Sequence, residues 1–137
     1  MGDVLLVLMR WLHIASMAAL AGGLLYGGVV CGPAAAPLAP GLQAEIARRA
    51  AERFRPIVLV AIGALLFSGV YNILAMPGHS ARYHMLLGIK LLLVGHVFAV
   101  ALLVVTGKTS RPARAMTGAA ISAFVIIAIA AYLRRIF

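Results

Sequence analysis

From Ile57 to Met76 the chain reads IVLVAIGALLFSGVYNILAM, an unbroken run without a single charge. A hydrocarbon core about 30 Å thick takes roughly 20 apolar residues per helical span. Backbone groups in lipid find no water to bond, so a run of this kind must be a helix, whose hydrogen bonds are all internal. Three further segments have the same character, at about 4–30, 84–106 and 115–133. None of them alternates polar with apolar residues, which excludes the strands of a membrane barrel. The 137-residue chain is 64% hydrophobic and 11% charged, too greasy for a soluble fold to hide. The reading is an all-α polytopic membrane protein: one transmembrane domain over residues 1–137, built as a bundle of four helices.

The first run is read as a retained span. Asp3 precedes it, no Lys or Arg does, and it is longer than the apolar region of a signal peptide. Cys31 is the one cysteine, so no disulfide framework exists, and it reads as a small packing residue at a helix end.

The connections have distinct signatures. GPAAAPLAP (32–40) holds three prolines and is expected to end helix 1. Next comes GLQAEIARRAAERFRP (41–56), where Leu42, Ile46, Ala50 and Phe54 recur every four residues and Glu45 and Arg49 form an i,i+4 pair. This pattern predicts a short amphipathic helix over 41–55 lying on the membrane surface, with Pro56 turning the chain into helix 2. Pro77 and Gly78 close helix 2, and GKTSRP (107–112) is a polar turn before helix 4.

A net charge of +9 could suggest nucleic acid, but its distribution does not. Arg48, Arg49, Arg53 and Arg55 fall in the first connection and Lys108, Arg111 and Arg114 in the third, which share a side of a four-span protein. The second connection has only Arg82, and the C-terminal tail has Arg134 and Arg135. Basic residues stay on the cytoplasmic side, so both termini are expected outside, in a bacterial inner membrane. The lipid bilayer is the partner these cations imply, and nucleic acid is not one.

Helix 1 carries Ala15, Ala19, Gly23 and Gly27 at four-residue spacing, and helix 3 carries Gly88, Gly95 and Ala99. Lipid gives helices no hydrophobic drive to associate, so such small residues mark faces where backbones approach closely. The stripes are expected to serve packing within the bundle, with a homo-oligomer as the other use.

Ionisable residues inside the spans cost at least a few kcal/mol each near the bilayer centre, so each needs a reason. Arg10 can snorkel outward or bind an anionic group such as a propionate. His13 lies about 13 Å along helix 1 from Val4, Lys90 about 9 Å into helix 3, and His96 about 18 Å in, at ~1.5 Å per residue. His13 and His96 could therefore face each other as two neutral imidazoles, the ligand set of a six-coordinate haem iron. Lys90 and His96 are about 120° apart around helix 3, and sequence alone does not choose which of them faces His13. Near the second connection Met76, His79, His84 and Met85 cluster within ten residues, a donor set that suits copper, with thioethers favouring Cu(I).

RWLHIASMAALAGGLLYGG in helix 1, RFRPIVLVAIGALLFSGVYNIL in helix 2 and YHMLLGIKLLLVGHVFAVALLV in helix 3 together resemble the CopD domain and the similar HemJ-type protoporphyrinogen oxidases. The resemblance spans about residues 8–106. It rests on a Leu-His pair followed by a Gly-rich stretch, and on a Lys within a later apolar run. A CopD-like protein implies copper movement across the inner membrane. A HemJ-like protein implies haem b and oxidation of protoporphyrinogen, with His13 as haem ligand, Lys90 as the essential residue of the third helix, and His96 matching a His that follows the Lys. The chain departs from the HemJ pattern where helix 1 ends, having GVVCGPAAAP in place of an aromatic-rich, His-containing stretch.

Two functional expectations follow, with a third beside them. The first is a haem-binding redox protein exchanging electrons with the quinone pool or respiratory chain. Here His13 with His96 or Lys90 binds iron, and Arg10 pairs with propionates. The second is a copper-handling protein that collects metal at Met76, His79, His84 and Met85. The third is a structural subunit whose buried polar groups bond only one another, for example Lys90 with Asn72. The spans carry no general-base carboxylate, so any catalysis would be that of a haem-dependent oxidoreductase.

Overall fold

The computed structural model describes residues 2–75 and 81–135, and every regular element within them is helical. Four helices are long and apolar enough to cross a membrane. They are α1 (Gly2–Ala35), α2 (Pro40–Leu74), α3 (Ala81–Val105) and α4 (Pro112–Arg135). Around the bundle α1 packs on α2 and α4, and α3 closes the ring against the same two helices. The lightest of these four seams is α2 against α3.

α1 does not stop where its first proline predicts. Within an α-helix the ring of Pro33 would strike the carbonyl four residues back, and it has no N–H to donate. The helix resolves this by widening to a π-turn over Tyr26–Cys31, in which the Gly32 N–H reaches the carbonyl of Gly27, five residues back. It then continues to Ala35. The chain turns at 36–39, where the Gln43 side-chain amide donates to the carbonyls of Ala36 and Leu38. Pro40 opens α2 in the first turn, where a missing N–H costs nothing.

The expected surface helix over 41–55 and the second span form one continuous helix of 35 residues with Pro56 inside it. Pro56 removes only the hydrogen bond to the carbonyl of residue 52, which lies in the charged half of the helix, within reach of water. Arg48 bridges Glu45 (2.8 Å) and Glu52 (2.5 Å), and Arg49 bridges Glu45 (2.6 Å), bracing the turns before the proline. At ~1.5 Å per residue α2 is about 52 Å long. A hydrocarbon core takes about 30 Å of that, so α2 is a rod longer than the apolar layer is thick.

α3 ends at Gly107, whose φ of +69° is the left-handed conformation that glycine adopts without strain. The Lys108 N–H then closes onto the carbonyl of Leu103 at 2.9 Å and the Gly107 N–H onto that of Val104 at 3.1 Å.

The small-residue stripe of α1 works inside the bundle, and one of its neighbours works harder. Gly23 lies against the ring of Phe54 and Gly27 against the thioether of Met116. A Cβ on Gly28 would sit 2.5 Å from Thr117 Oγ1, 2.6 Å from Thr117 N and 2.9 Å from the Ala113 carbonyl, so α4 crosses here nearly backbone to backbone. The matching expectation for α3 is corrected. Gly88 and Gly95 have nothing within 4 Å of an added Cβ, and with Ala99 they are exposed on the outside of the bundle.

The core occupies one half of the bundle. Leu20, Leu24, Val58, Ala61, Leu65, Val97, Ala101, Ala119, Ala120, Ala123 and Ile126 form one buried cluster. In α1 every buried residue lies at Ser16 or later, in α2 at Ser68 or earlier, and in α3 at Val97 or later. The basic half is therefore the more closely packed, and the other half is more open: residues 2–15, 69–75 and 81–96 hold no buried side chain, although Leu133 of α4 is buried there.

Candidate functional site

His13 sits on the floor of that open half, just above the packed core. Its Nδ1 is 2.9 Å from Ser68 Oγ on α2, and its Cε1 would be 3.6 Å from a Cβ added at Gly69, so the ring lies along the α2 backbone. Ser68 is fully buried, and its hydroxyl also reaches the Ala64 carbonyl at 2.6 Å. A hydroxyl has one proton, and a carbonyl can only accept, so that proton goes to Ala64. Ser68 Oγ must then accept from His13, which places the imidazole proton on Nδ1. In the neutral ring Nε2 carries the lone pair. One hydrogen bond thus fixes both the orientation and the tautomer of the imidazole, as such bonds do for metal-binding histidines.

Lys90 comes from α3 into the same half of the bundle and is half-buried there. Its position follows from helix phase. Lys90 is seven residues before Val97 and eleven before Ala101, so it continues the buried stripe of α3 up into the open half. Arg10, one turn from His13 on α1, is half-buried, as is Lys90. The chain has three acidic residues, Asp3, Glu45 and Glu52, and no ion pair joins any of them to Arg10, His13 or Lys90 among the described residues. His13, Lys90 and Arg10 are thus three basic side chains of one half of the bundle, with no carboxylate ion-paired to them among the described residues.

The expected partnership of His13 with His96 is corrected. His96 is exposed on the outside of α3, on the face of Met85, Ile89, Leu92 and Leu103. A six-residue offset turns it about 120° from Lys90, so only one of the two can continue the inward stripe, and Lys90 does. Among the described residues no hydrogen bond joins Lys90 to Asn72. The copper candidates fare differently. Met76 and His79 lie outside the described residues. His84 and Met85 are exposed, with the His84 ring edge-on to Tyr83 at 5.8 Å. No group of three or more His, Cys, Asp or Glu side chains placed to hold a metal occurs among the described residues.

Ser68 is the functional residue that sequence reading misses. It completes the stripe Val58, Ala61, Leu65 and Ser68, which the i, i+3, i+7, i+10 spacing of IVLVAIGALLFS does carry. No known protein family, curated protein or solved structure matches the chain.

Proposed function

We propose that this chain is a membrane-embedded haem b protein of the CopD/HemJ kind, with an electron-transfer or protoporphyrinogen-oxidising role. The observation that carries the reading is the set tautomer of His13 in the half of the bundle that also holds Lys90 and Arg10. The lone pair on Nε2 of the neutral imidazole is what His13 would offer to a haem iron. Lys90 and Arg10 supply the cations that the two propionates of a haem, or the carboxylates of a porphyrin substrate, require. When bound, haem supplies one-electron redox chemistry. The chain itself orients the ligand through His13, holds that imidazole through Ser68, and neutralises the ligand's carboxylates through Lys90 and Arg10. The basic end of the bundle belongs on the cytoplasmic side of a bacterial inner membrane, which leaves the site in the outer half, within reach of the quinone pool.

The test is an absorption spectrum of detergent-purified protein before and after reduction. A Soret band that disappears in His13→Ala and persists in His96→Ala is the expected result. Colourless protein from haem-replete cells overturns the reading, and stoichiometric copper in its place would transfer it to a copper-handling role.

A further inference from the structure

The small-residue stripe of α1 is filled at one end and empty at the other. Gly23 takes the ring of Phe54 from α2. Further from the basic end, Ala15 and Ala19 meet no such large side chain. With Pro56 and Val60 of α2 they line a cleft of about 430 Å³ along the α1/α2 seam. Trp11 and Val60, both on its wall, are exposed, so the cleft opens towards hydrocarbon.

One polar side chain lines this cleft. Ser16 is only 8% exposed. A hydroxyl within a helix ordinarily donates to the carbonyl four residues back. Ser68, Thr106 and Thr117 do so, at 2.6, 2.6 and 2.9 Å. The Ser16 hydroxyl makes no hydrogen bond among the described residues. Buried hydroxyls are nearly always bonded, because an unmet donor is costly to bury. The bilayer interior has no water to meet it, and an acyl chain carries no acceptor. Ala61, on the same wall, lies four residues inside the uncharged run that begins at Ile57, about 6 Å in at ~1.5 Å per residue. The complementary ligand is therefore an apolar body that brings its own acceptor below the headgroups. The Trp11 indole on the wall suits a ring.

We propose that this cleft binds the ring of a lipid-soluble quinone, with the Ser16 hydroxyl donating to a ring carbonyl and the Trp11 indole against the ring. The choice of a quinone among lipid-soluble carbonyl compounds rests on the redox reading above. Ser16 is one turn from His13 along α1, which sets the ring near the residue that would hold the haem.

The full chain is placed in lipid nanodiscs, and the emission of Trp11, its single tryptophan, is followed as decylubiquinone is added. A quinone in contact with an indole quenches it. Saturable quenching is expected on colourless and haem-loaded protein alike, so a missing haem does not decide the result. Ser16→Ala breaks no hydrogen bond of the protein and is expected to weaken the affinity about fivefold, as loss of one hydrogen bond does. Ala19→Leu fills the cleft and is expected to abolish the saturable part. Ser122→Ala, a hydroxyl of α4 outside the cleft, is expected to change nothing. Quenching that never saturates, equal affinity in Ser16→Ala, full binding in Ala19→Leu, or displacement of the quinone by decylbenzene, which has no carbonyl, would each overturn the proposal.

Discussion

Replacing Gly28 with alanine tests the closest helix crossing in the bundle. Elsewhere in a helix, glycine to alanine stabilises by roughly 0.5–1 kcal/mol because the alanine backbone has less freedom to lose. At Gly28 the added methyl would meet Thr117 Oγ1 at 2.5 Å, Thr117 N at 2.6 Å and the Ala113 carbonyl at 2.9 Å. Two of these three atoms are backbone, so no rotamer change relieves the clash and α4 must move away from α1. Overpacking of this kind costs about 1–3 kcal/mol, which outweighs the gain in helix propensity. Gly22→Ala is the internal control, since nothing lies within 4 Å of its added Cβ. Gly27→Ala lies between the two, because the methyl meets only the flexible end of Met116. Unfolding in mixed micelles, followed by helical circular dichroism, is expected to rank the variants Gly22→Ala, Gly27→Ala, Gly28→Ala from most to least stable. A Gly28→Ala protein as stable as Gly22→Ala would refute the crossing and the register of α4 with it.

Ser68→Ala removes the acceptor of the His13 proton. Interhelical hydrogen bonds in membranes average about 0.6 kcal/mol, so the fold should survive while any bound chromophore shifts its absorption maximum. An unchanged spectrum would remove Ser68 from the site. Lys90→Met is expected to leave stability equal or greater, as apolar replacements of buried charges often do, while weakening haem or porphyrin binding measured by titration. A large loss of stability would make Lys90 structural instead. At the rod, hydrogen bonds from Arg48 and then Arg49 hold the Glu45 carboxyl below its ordinary range. A depressed folded value means that the bracing is present above the ordinary carboxylate range and is lost as pH falls through the folded one. Carbon-detected NMR should therefore show Glu45 titrating at lower pH than a free glutamate, with helical shifts over 41–52 weakening in the same acid window. Titration at the ordinary carboxylate pH would contradict the pairing.

The number, length and helical character of the spans are legible because a membrane demands them of any apolar run near 20 residues. Helix phase is not legible in the same way. α3 reads LLLV beside Lys90, greasy all round, because its lipid face is as apolar as its core face. Hence Lys90 and His96 both look buried in sequence, and only packing sends one inward and the other to the lipid side. Pro33 and Pro56 show a second limit. Sequence reads each proline as a stop, yet α1 widens around the first and α2 absorbs the second where water can take up the freed carbonyl. His13 is visible as chemistry at depth, whereas its tautomer depends on a hydrogen bond 55 residues away in the chain.

The π-turn at Tyr26–Cys31 holds one residue more than an α-helix of the same rise would. It acts as a phase shifter between two rigid lengths of α1. Wound as regular α-helix with every residue kept, this stretch would rotate everything beyond it by about 100°. Gly32 would then swing away from Ala113, and the 36–39 turn would aim α2 along a different line. The widened turn therefore sets where the second helix starts, and so where Ser68 arrives to meet His13.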